Sequence, residues 1–304
     1  MSNPIDPVDD EAAARAAAAQ GEATTPAPER RFGAGLAVRA TAAVVLGLVA
    51  LAAAWVGGFW FMVFWAAAAA LALWEWQRLI GGERLIARLA VGAATLAVVA
   101  PLALHGGKYW DLAAIAIGAV AAGAVAGRSG RPIWTGVGVA YAAALLAAPV
   151  LLRASPAYGL AAILWLYGVV WGADTFAFLG GRLIGGPRLW RRVSPGKTWS
   201  GAIVGTLAGA AIGALVAFFA APAGARLPSL FWLGLVAAIV GHLGDLAESA
   251  VKRRFAVKDS SHLIPGHGGV LDRVDAFVAA AVFAAILGWA RSDGVWIAAG
   301  LFQW

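Results

Sequence analysis

The sequence contains no cysteine and few charged residues, and both shortages exclude classes of protein. Without cysteine the chain forms no disulfide, uses no thiolate nucleophile and binds no metal through cysteine. Charged residues are 13% of the 304 residues, against about 25% in soluble globular domains. Because 62% of the residues are hydrophobic, we expect an integral membrane protein. The net charge of +7 then indicates anionic lipid and phosphate as partners, and no nucleic acid.

Apolar segments recur along the chain and predict an all-α, polytopic membrane fold of about nine transmembrane helices. A helix needs about 20 apolar residues to cross the hydrocarbon. The candidate segments are 36–56, 58–77, 86–104, 110–127, 133–152, 157–180, 199–220, 229–250 and 273–290. Two of the polar residues in this region, Glu75 and Asp111, lie at segment ends, and we expect both at the membrane interface.

The same pattern divides the chain into four parts. Residues 1–32 are acidic, rich in alanine and interrupted by proline, which predicts a disordered cytosolic tail. Residues 294–304 are apolar but too short to span, so we expect an interfacial tail. Between them we predict an N-terminal transmembrane scaffold, 33–156, and a catalytic transmembrane domain, 157–293. The cytosolic loops of the catalytic domain are 182–198 and 252–272.

The basic residues are distributed unequally between the two sides of the membrane. With a cytosolic N-terminus and alternating spans, 19 of the 23 Lys and Arg residues fall on the cytosolic side and four on the other. This asymmetry follows the positive-inside rule. It predicts a multi-pass protein of the cell (plasma or inner) membrane whose active site faces the cytosol. Small residues on the helix faces also permit close packing, including that of a homodimer.

Residues 171–201 combine an acid with glycines, basic residues and hydroxyls. Gly180-Gly181 and Gly185-Gly186 predict a flexible loop whose backbone N–H groups can approach an anion. Serine, threonine and lysine before the helix that follows suit phosphate binding, although the same hydroxyls also serve as ordinary helix caps. The residues that we assign here to substrate binding are Asp174, Arg191, Arg192, Ser194, Lys197 and Thr198.

A polar stripe ends the segment 229–250. Asp245, Glu248, Ser249 and Lys252 are spaced i, i+3, i+4 and i+7, which places them on one helical face. Two carboxylates and an ammonium on one stripe form either a self-satisfied polar seam or a site that holds a hard cation through oxygen.

The loop that follows, and the start of the last span, are also polar. The turn Pro265–Gly269 allows the backbone to approach a ligand closely. Asp272 and Asp275 then begin a helix, with Arg273 between them. Acids in a first turn also stabilise the helix dipole. Together with Asp245, however, they can form a carboxylate site for Mg²⁺ beside phosphate, which suits phosphoryl or nucleotidyl transfer.

The stretch 249–275 resembles the signature of the phosphatidate cytidylyltransferase (CDP-diacylglycerol synthase) family. The upstream stretch from Asp174-Thr175 to Lys197-Thr198-Trp199 is similar to the same family, so that the resemblance covers roughly residues 157–290. Ser200 stands where the family usually has Glu, and we assign it no role. The signature positions include Ser249, Lys252, Arg253, Lys258, Asp259, Ser261, Ile264, Pro265, His267, Gly268, Gly269, Asp272, Arg273 and Asp275.

The resemblance implies the reaction CTP + phosphatidate → CDP-diacylglycerol + pyrophosphate. It implies Mg²⁺ held by Asp245 and Asp272, leaves a second metal ion open, and makes Asp275 and Glu248 the next candidates as ligands. The implied catalytic residues are Asp245, Lys252, Lys258, His267, Asp272, Arg273 and Asp275. Further substrate contacts are implied at Ser249, Ser261, Gly268 and Gly269.

Two other functions remain open at this point. A CTP-dependent lipid or polyprenol kinase would need the same metal and phosphate groups but would release CDP. An anion transporter also places acids, arginine and broken helices at membrane depth. A transporter needs polar residues through both halves of the membrane, whereas here they gather on the predicted cytosolic side.

Overall fold

The computed structural model describes residues 32–107, 109–222, 226–264, 268–292 and 296–303, with the side chains of 32–39 and 227 excepted. Residues 1–31 of the predicted N-terminal tail, His267 and residues 294, 295 and 304 of the predicted C-terminal tail therefore lie outside the described residues, whereas Phe32 begins a helix. The helices are α1 (Phe32–Val56), α2 (Gly58–Ile80), α3 (Leu85–Leu104), α4 (Tyr109–Ala126), α5 (Pro132–Arg153), α6 (Gly159–Ile184), α7 (Trp199–Ala220), α8 (Leu227–Arg254), α9 (Leu271–Arg291) and α10 (Ala299–Phe302).

The all-α membrane fold is confirmed. In the described part of the chain, eight helices, α2 to α9, are long and apolar enough to cross a membrane. The apolar part of α1, Ala40–Val56, is shorter, and the count of nine spans stays a prediction. Helix α5 is the most enclosed of the eight, with 78% of its most apolar stretch buried. It packs against α2, α3, α4, α6 and α9 and so joins the N-terminal helices to the C-terminal ones.

Helices α6 and α7 pack closely because glycine recurs along their contact. A Cβ atom added at Gly201 would lie 2.6 Å from the carbonyl oxygen of Ala177, and one added at Gly180 would lie 2.8 Å from Val204 Cβ. Only glycine lets the two backbones come this near. The prediction that Gly180-Gly181 belongs to a flexible loop is therefore wrong, since both lie inside α6. The pair serves helix packing.

The predicted loop 182–198 contains a short antiparallel hairpin. Strand β1 (Arg188–Trp190) pairs with β2 (Ser194–Thr198), and Arg188 lies opposite Thr198. The Arg188 guanidinium donates to the Gly196 carbonyl over 3.1 Å, which closes the open end of the hairpin. At its base, the hairpin leads directly into α7, so that the last residues of β2 are held beside α8.

Two acids that the sequence placed at the membrane interface are buried inside the helix bundle. Glu75 is 1% exposed and Asp111 is 2% exposed, so both are enclosed by protein, and their position at the membrane interface stays a prediction. Asp111 lies in the first turn of α4. Glu75 lies more than one turn before the end of α2 and faces the start of α9, which the sequence separates from it by almost 200 residues.

The C-terminal residues fold back onto the bundle. Leu301 and Phe302 of α10 are buried, and Phe302 stacks on Tyr158 with ring centroids 5.5 Å apart. Trp296 is 38% exposed. The interfacial position of this tail stays a prediction.

Candidate active site

The hairpin brings a lysine to the polar stripe of α8. Lys197, the penultimate residue of β2, forms an ion pair with Asp245, and both side chains are 27% exposed. The Ser249 hydroxyl approaches the other oxygen of Asp245, at 3.4 Å. Arg253 of α8 donates to the Val193 carbonyl over 3.3 Å. The two stretches that the sequence singled out therefore meet in one place.

The hydroxyls before α7 have defined partners. Thr198 is the N-cap of α7, and its hydroxyl accepts the Gly201 N–H over 3.1 Å. The sequence left phosphate binding and helix capping open for Thr198, and the structure contains the helix cap. Ser200 donates to the Gly185 carbonyl, and Ser194 is half-buried on β2. Arg191 and Arg192 lie exposed in the turn of the hairpin.

Lys252 links the stripe to the start of α9. Its ammonium lies 2.7 Å from Glu248 Oε2 and 2.7 Å from Asp272 Oδ1. All three side chains are largely buried. The prediction that the four residues of the polar stripe share one face of α8 is confirmed. The Asp245 and Ser249 side chains approach each other, and so do those of Glu248 and Lys252.

Asp272 also organises the loop before α9. Its Oδ2 accepts the Gly269 N–H over 2.9 Å and the Ser260 hydroxyl over 3.0 Å. The Ser260 N–H donates to the same carboxylate. Gly268 has φ +83°, a conformation that favours glycine, and a Cβ there would lie 2.8 Å from Asp272 Oδ2. The glycines of this turn thus allow the loop backbone to lie close to the carboxylate of Asp272.

Further carboxylates extend this group. Asp275, half-buried one turn after Asp272 in α9, interacts electrostatically with Asp245, Glu248 and Asp174. Asp174 is exposed on α6, beside Lys197 and Arg273. The resulting carboxylate cluster, as we call it below, consists of Asp174, Asp245, Glu248, Asp272 and Asp275, with Lys197, Lys252 and Arg273 as its basic members.

The carboxylate cluster has the composition of a cation site. Five carboxylates against three basic side chains leave a formal charge of −2, and unbalanced charge is costly in a membrane protein. Glu248 Oε1 is buried without a hydrogen-bond partner among the described residues. Hard carboxylate oxygens suit Mg²⁺, which is usually held by one or two of them together with substrate phosphates. Among the described residues, no three of these side chains converge closely enough to form a metal site by themselves.

The N-terminal helices also reach this site, which the sequence did not predict. Glu75 of α2 accepts hydrogen bonds from Ser260, Ser261 and the first backbone N–H groups of α9. Tyr141 of α5 interacts electrostatically with Asp275, Glu248 and Asp272, and its hydroxyl is buried without a hydrogen-bond partner among the described residues. The sequence did contain one signal for Glu75. It is an ionisable residue inside an apolar helix, and such a residue is a candidate functional position by default.

The remaining predicted residues lie on the loop between α8 and α9 and in the first turn of α9. Lys258 is exposed on it, and Arg273 is exposed in the first turn of α9. The Ser261 hydroxyl is directed to Glu75 Oε1, 2.6 Å away. Backbone pairing of Ile264 with Gly268 closes the loop.

Comparison with known sequences gives consistent similarities. The sequence model of the cytidylyltransferase family matches residues 37–290. A phosphatidate cytidylyltransferase of Brucella abortus (strain 2308) is 41% identical over 255 residues, which cover 83% of this chain and 93% of that protein. One of Pseudomonas aeruginosa (strain PAO1) is 38% identical over 251 residues, 78% of this chain and 90% of that protein. One of Haemophilus influenzae is 41% identical over 131 residues, 42% of this chain and 46% of that protein.

Proposed function

The chain belongs to the cytidylyltransferase family, and from that premise we propose that it is a phosphatidate cytidylyltransferase that makes CDP-diacylglycerol and pyrophosphate from CTP and phosphatidate. The observation that carries this function is the extent of the similarity. The family match spans residues 37–290 and therefore includes both the helix that bears Glu75 and the α8–α9 loop. The protein is accordingly a multi-pass membrane nucleotidyltransferase.

The reaction needs no covalent intermediate with the enzyme. A phosphate oxygen of phosphatidate attacks the α-phosphorus of CTP in line, a P–O bond forms, and the bond to the β-phosphate oxygen breaks. Pyrophosphate leaves with both of its phosphoryl groups. Negative charge shifts toward the leaving group in this step, so fixed cations beside the phosphates stabilise the transition state.

We assign that stabilisation to basic side chains on three elements. Lys252 is held in place by Glu248 and Asp272, and Lys197 by Asp245, so the positions of both ammonium groups are fixed before substrate binds. Lys258, on the loop between α8 and α9, and Arg273, in the first turn of α9, are exposed. Arg191 and Arg192, exposed on the hairpin turn, and Ser194 would contact nucleotide or lipid phosphate.

For the metal we retain Asp245 and Asp272 as the proposed ligands of Mg²⁺, with Asp275 and Glu248 next. Asp275 interacts electrostatically with Asp245 and Glu248, and Glu248 with Asp272, so the carboxylates form a connected series. Bound Mg²⁺ would polarise the α-phosphate and neutralise charge on the phosphates. Asp272 already accepts several protein donors, so its role includes ordering the loop. A second metal ion is left open.

The proposed setting is the cell (plasma or inner) membrane, with the carboxylate cluster on the cytosolic side. The asymmetry of Lys and Arg supports this orientation, as does the cytosolic supply of CTP. A homodimer also stays a proposal. The large apolar side chains on the outer surface of α7, among them Ile203 at 56% and Leu207 at 52% exposure, would contact either lipid or a second copy. Cross-linking in native membranes distinguishes the two.

The test of the function is a product assay with purified protein, CTP, phosphatidate and Mg²⁺. We expect CDP-diacylglycerol and pyrophosphate in equal amounts. A lipid kinase would release CDP and no pyrophosphate, and either outcome would be visible by chromatography of labelled CTP. Anion flux into sealed vesicles without nucleotide would support the transporter alternative.

A further inference from the structure

The carboxylate of Glu75 holds both ends of the loop that precedes α9. Oε1 accepts the Ser261 hydroxyl over 2.6 Å and the Val270 N–H over 2.9 Å. Oε2 accepts the Leu271 N–H over 2.7 Å and lies 3.1 Å from the Ser260 hydroxyl, whose one hydrogen it shares with Asp272 Oδ2. The serines lie at the early part of the loop and the two amides at its end, so one side chain of α2 ties residues about ten positions apart.

The site is built for a charged acceptor. Val270 and Leu271 are at the start of α9, where backbone N–H groups have no partner within the helix and where the helix dipole favours negative charge. Glu75 is 1% exposed, and hydrogen bonds to a buried carboxylate are stronger than those between neutral groups. Both oxygens of a carboxylate are hydrogen-bond acceptors, and both oxygens of Glu75 have donors beside them.

Glu75 is connected to the proposed catalytic residues through Ser260. The Ser260 hydroxyl lies 3.1 Å from Glu75 Oε2 and 3.0 Å from Asp272 Oδ2, and Asp272 in turn accepts from Lys252 over 2.7 Å. Gly269 lies against the same group, because a Cβ there would be 2.6 Å from both oxygens of Glu75. The position of α2 therefore determines where Asp272, and with it Lys252, can lie.

We propose that Glu75 is a positioning residue of the active site. It contacts no substrate, and it fixes the loop and the first turn of α9 so that Asp272 and Lys252 keep their places during turnover. The inference rests on the proposed phosphatidate cytidylyltransferase activity, whose α8–α9 loop it concerns. It adds a residue of the N-terminal helices to a site that the sequence placed wholly in residues 157–293.

Replacement of Glu75 by glutamine tests this role with minimal change of volume. The amide NH₂ places donors at one end of the side chain, so the hydrogen bond from the backbone N–H at that end is lost, and the serine hydroxyl there must change from donor to acceptor. We expect kcat to fall at least about tenfold, with a smaller change in KM for CTP. Trypsin cleavage after the exposed Lys258 should become faster because the loop is less firmly held.

Glu83→Gln is the matched control. Glu83 is an exposed carboxylate after the end of α2 that accepts a hydrogen bond from the Ser129 hydroxyl over 2.9 Å. We expect its kcat and its cleavage at Lys258 to equal those of the unmodified protein. If neither the unmodified protein nor Glu83→Gln makes CDP-diacylglycerol, the proposed function fails. If both do and Glu75→Gln matches them, the positioning role is overturned.

A double-mutant cycle separates positioning from general loss of stability. Ser261→Ala removes one donor to Glu75, and its effect on kcat should be much smaller in the Glu75→Gln background than alone, because the bond is already impaired. Additive effects would contradict the proposal. Should Glu75→Gln not yield folded protein, Ser261→Ala decides alone. A kcat within twofold of the unmodified protein, with unchanged cleavage at Lys258, would then overturn the inference.

Discussion

Lys252 Nζ donates to Asp272 Oδ1 over 2.7 Å and thereby joins the end of α8 to the start of α9. The same ammonium is 2.7 Å from Glu248 Oε2. One cation thus lies between two carboxylates from different helices, in a place where water has little access. These two ion pairs restrict where the Lys252 ammonium can lie.

The first prediction concerns the charge of Lys252. Lys252→Gln should lower kcat/KM by roughly 100- to 1000-fold, since loss of one fixed group that stabilises developing charge costs about 2.7–4 kcal/mol. Arg128→Gln, which removes an exposed charge from the α4–α5 turn, is the control and should have no such effect. Steady-state rates of CDP-diacylglycerol formation provide the measurement. Loss of activity in both variants would point to a general effect of net charge.

The second prediction concerns the metal proposed at Asp245. Asp245→Asn should need a higher Mg²⁺ concentration for half-maximal activity, because one of its two oxygens becomes an amide nitrogen that binds no cation. The change Asp245→Asn also removes the ion pair between Lys197 and Asp245. Lys197→Gln, which removes the same ion pair and keeps the carboxylate, is therefore the control. It should lower the rate without an increase in the Mg²⁺ requirement. A Mg²⁺ titration of each variant gives the answer, and an unchanged titration curve for Asp245→Asn would remove this residue from the metal site.

The third prediction concerns the space around Gly269. Gly269→Ala would place a Cβ against Ser260 Oγ, the nearest atom, and 2.6 Å from both oxygens of Glu75, so the hydrogen bonds among these groups must rearrange. We expect the free energy of unfolding to fall by about 1–3 kcal/mol and turnover to fall with it. Gly196→Ala is a suitable control, because a Cβ at Gly196 meets no atom within 4 Å. Thermal unfolding in detergent compares the two, and equal unfolding midpoints would contradict the expected overlap.

The helices were predictable from the sequence, and the contacts of the site were predictable only in part. Long apolar runs specify membrane helices through composition alone, and the stripe from Asp245 to Lys252 follows from helical periodicity. The hairpin was missed because β1 and β2 have three and five residues, and β2 contains Pro195 and Gly196, which suggest a loop. Glu75 was missed because its partners lie 185 or more residues away, and such a contact depends on how the helices pack around α5.

The last prediction decides between the two roles that the sequence left open for Thr198. Its hydroxyl accepts the Gly201 N–H over 3.1 Å, and the residue is 5% exposed, so we expect it to serve the helix and not the nucleotide. Thr198→Ala should lower the free energy of unfolding by about 1 kcal/mol, Thr198→Ser should restore it, and KM for CTP should change less than twofold in both. Ser194→Ala should have the opposite pattern, with a higher KM and unchanged unfolding, because Ser194 is half-buried on β2 and caps no helix. A large rise in KM for CTP in Thr198→Ala, with unchanged stability, would instead assign this hydroxyl to phosphate.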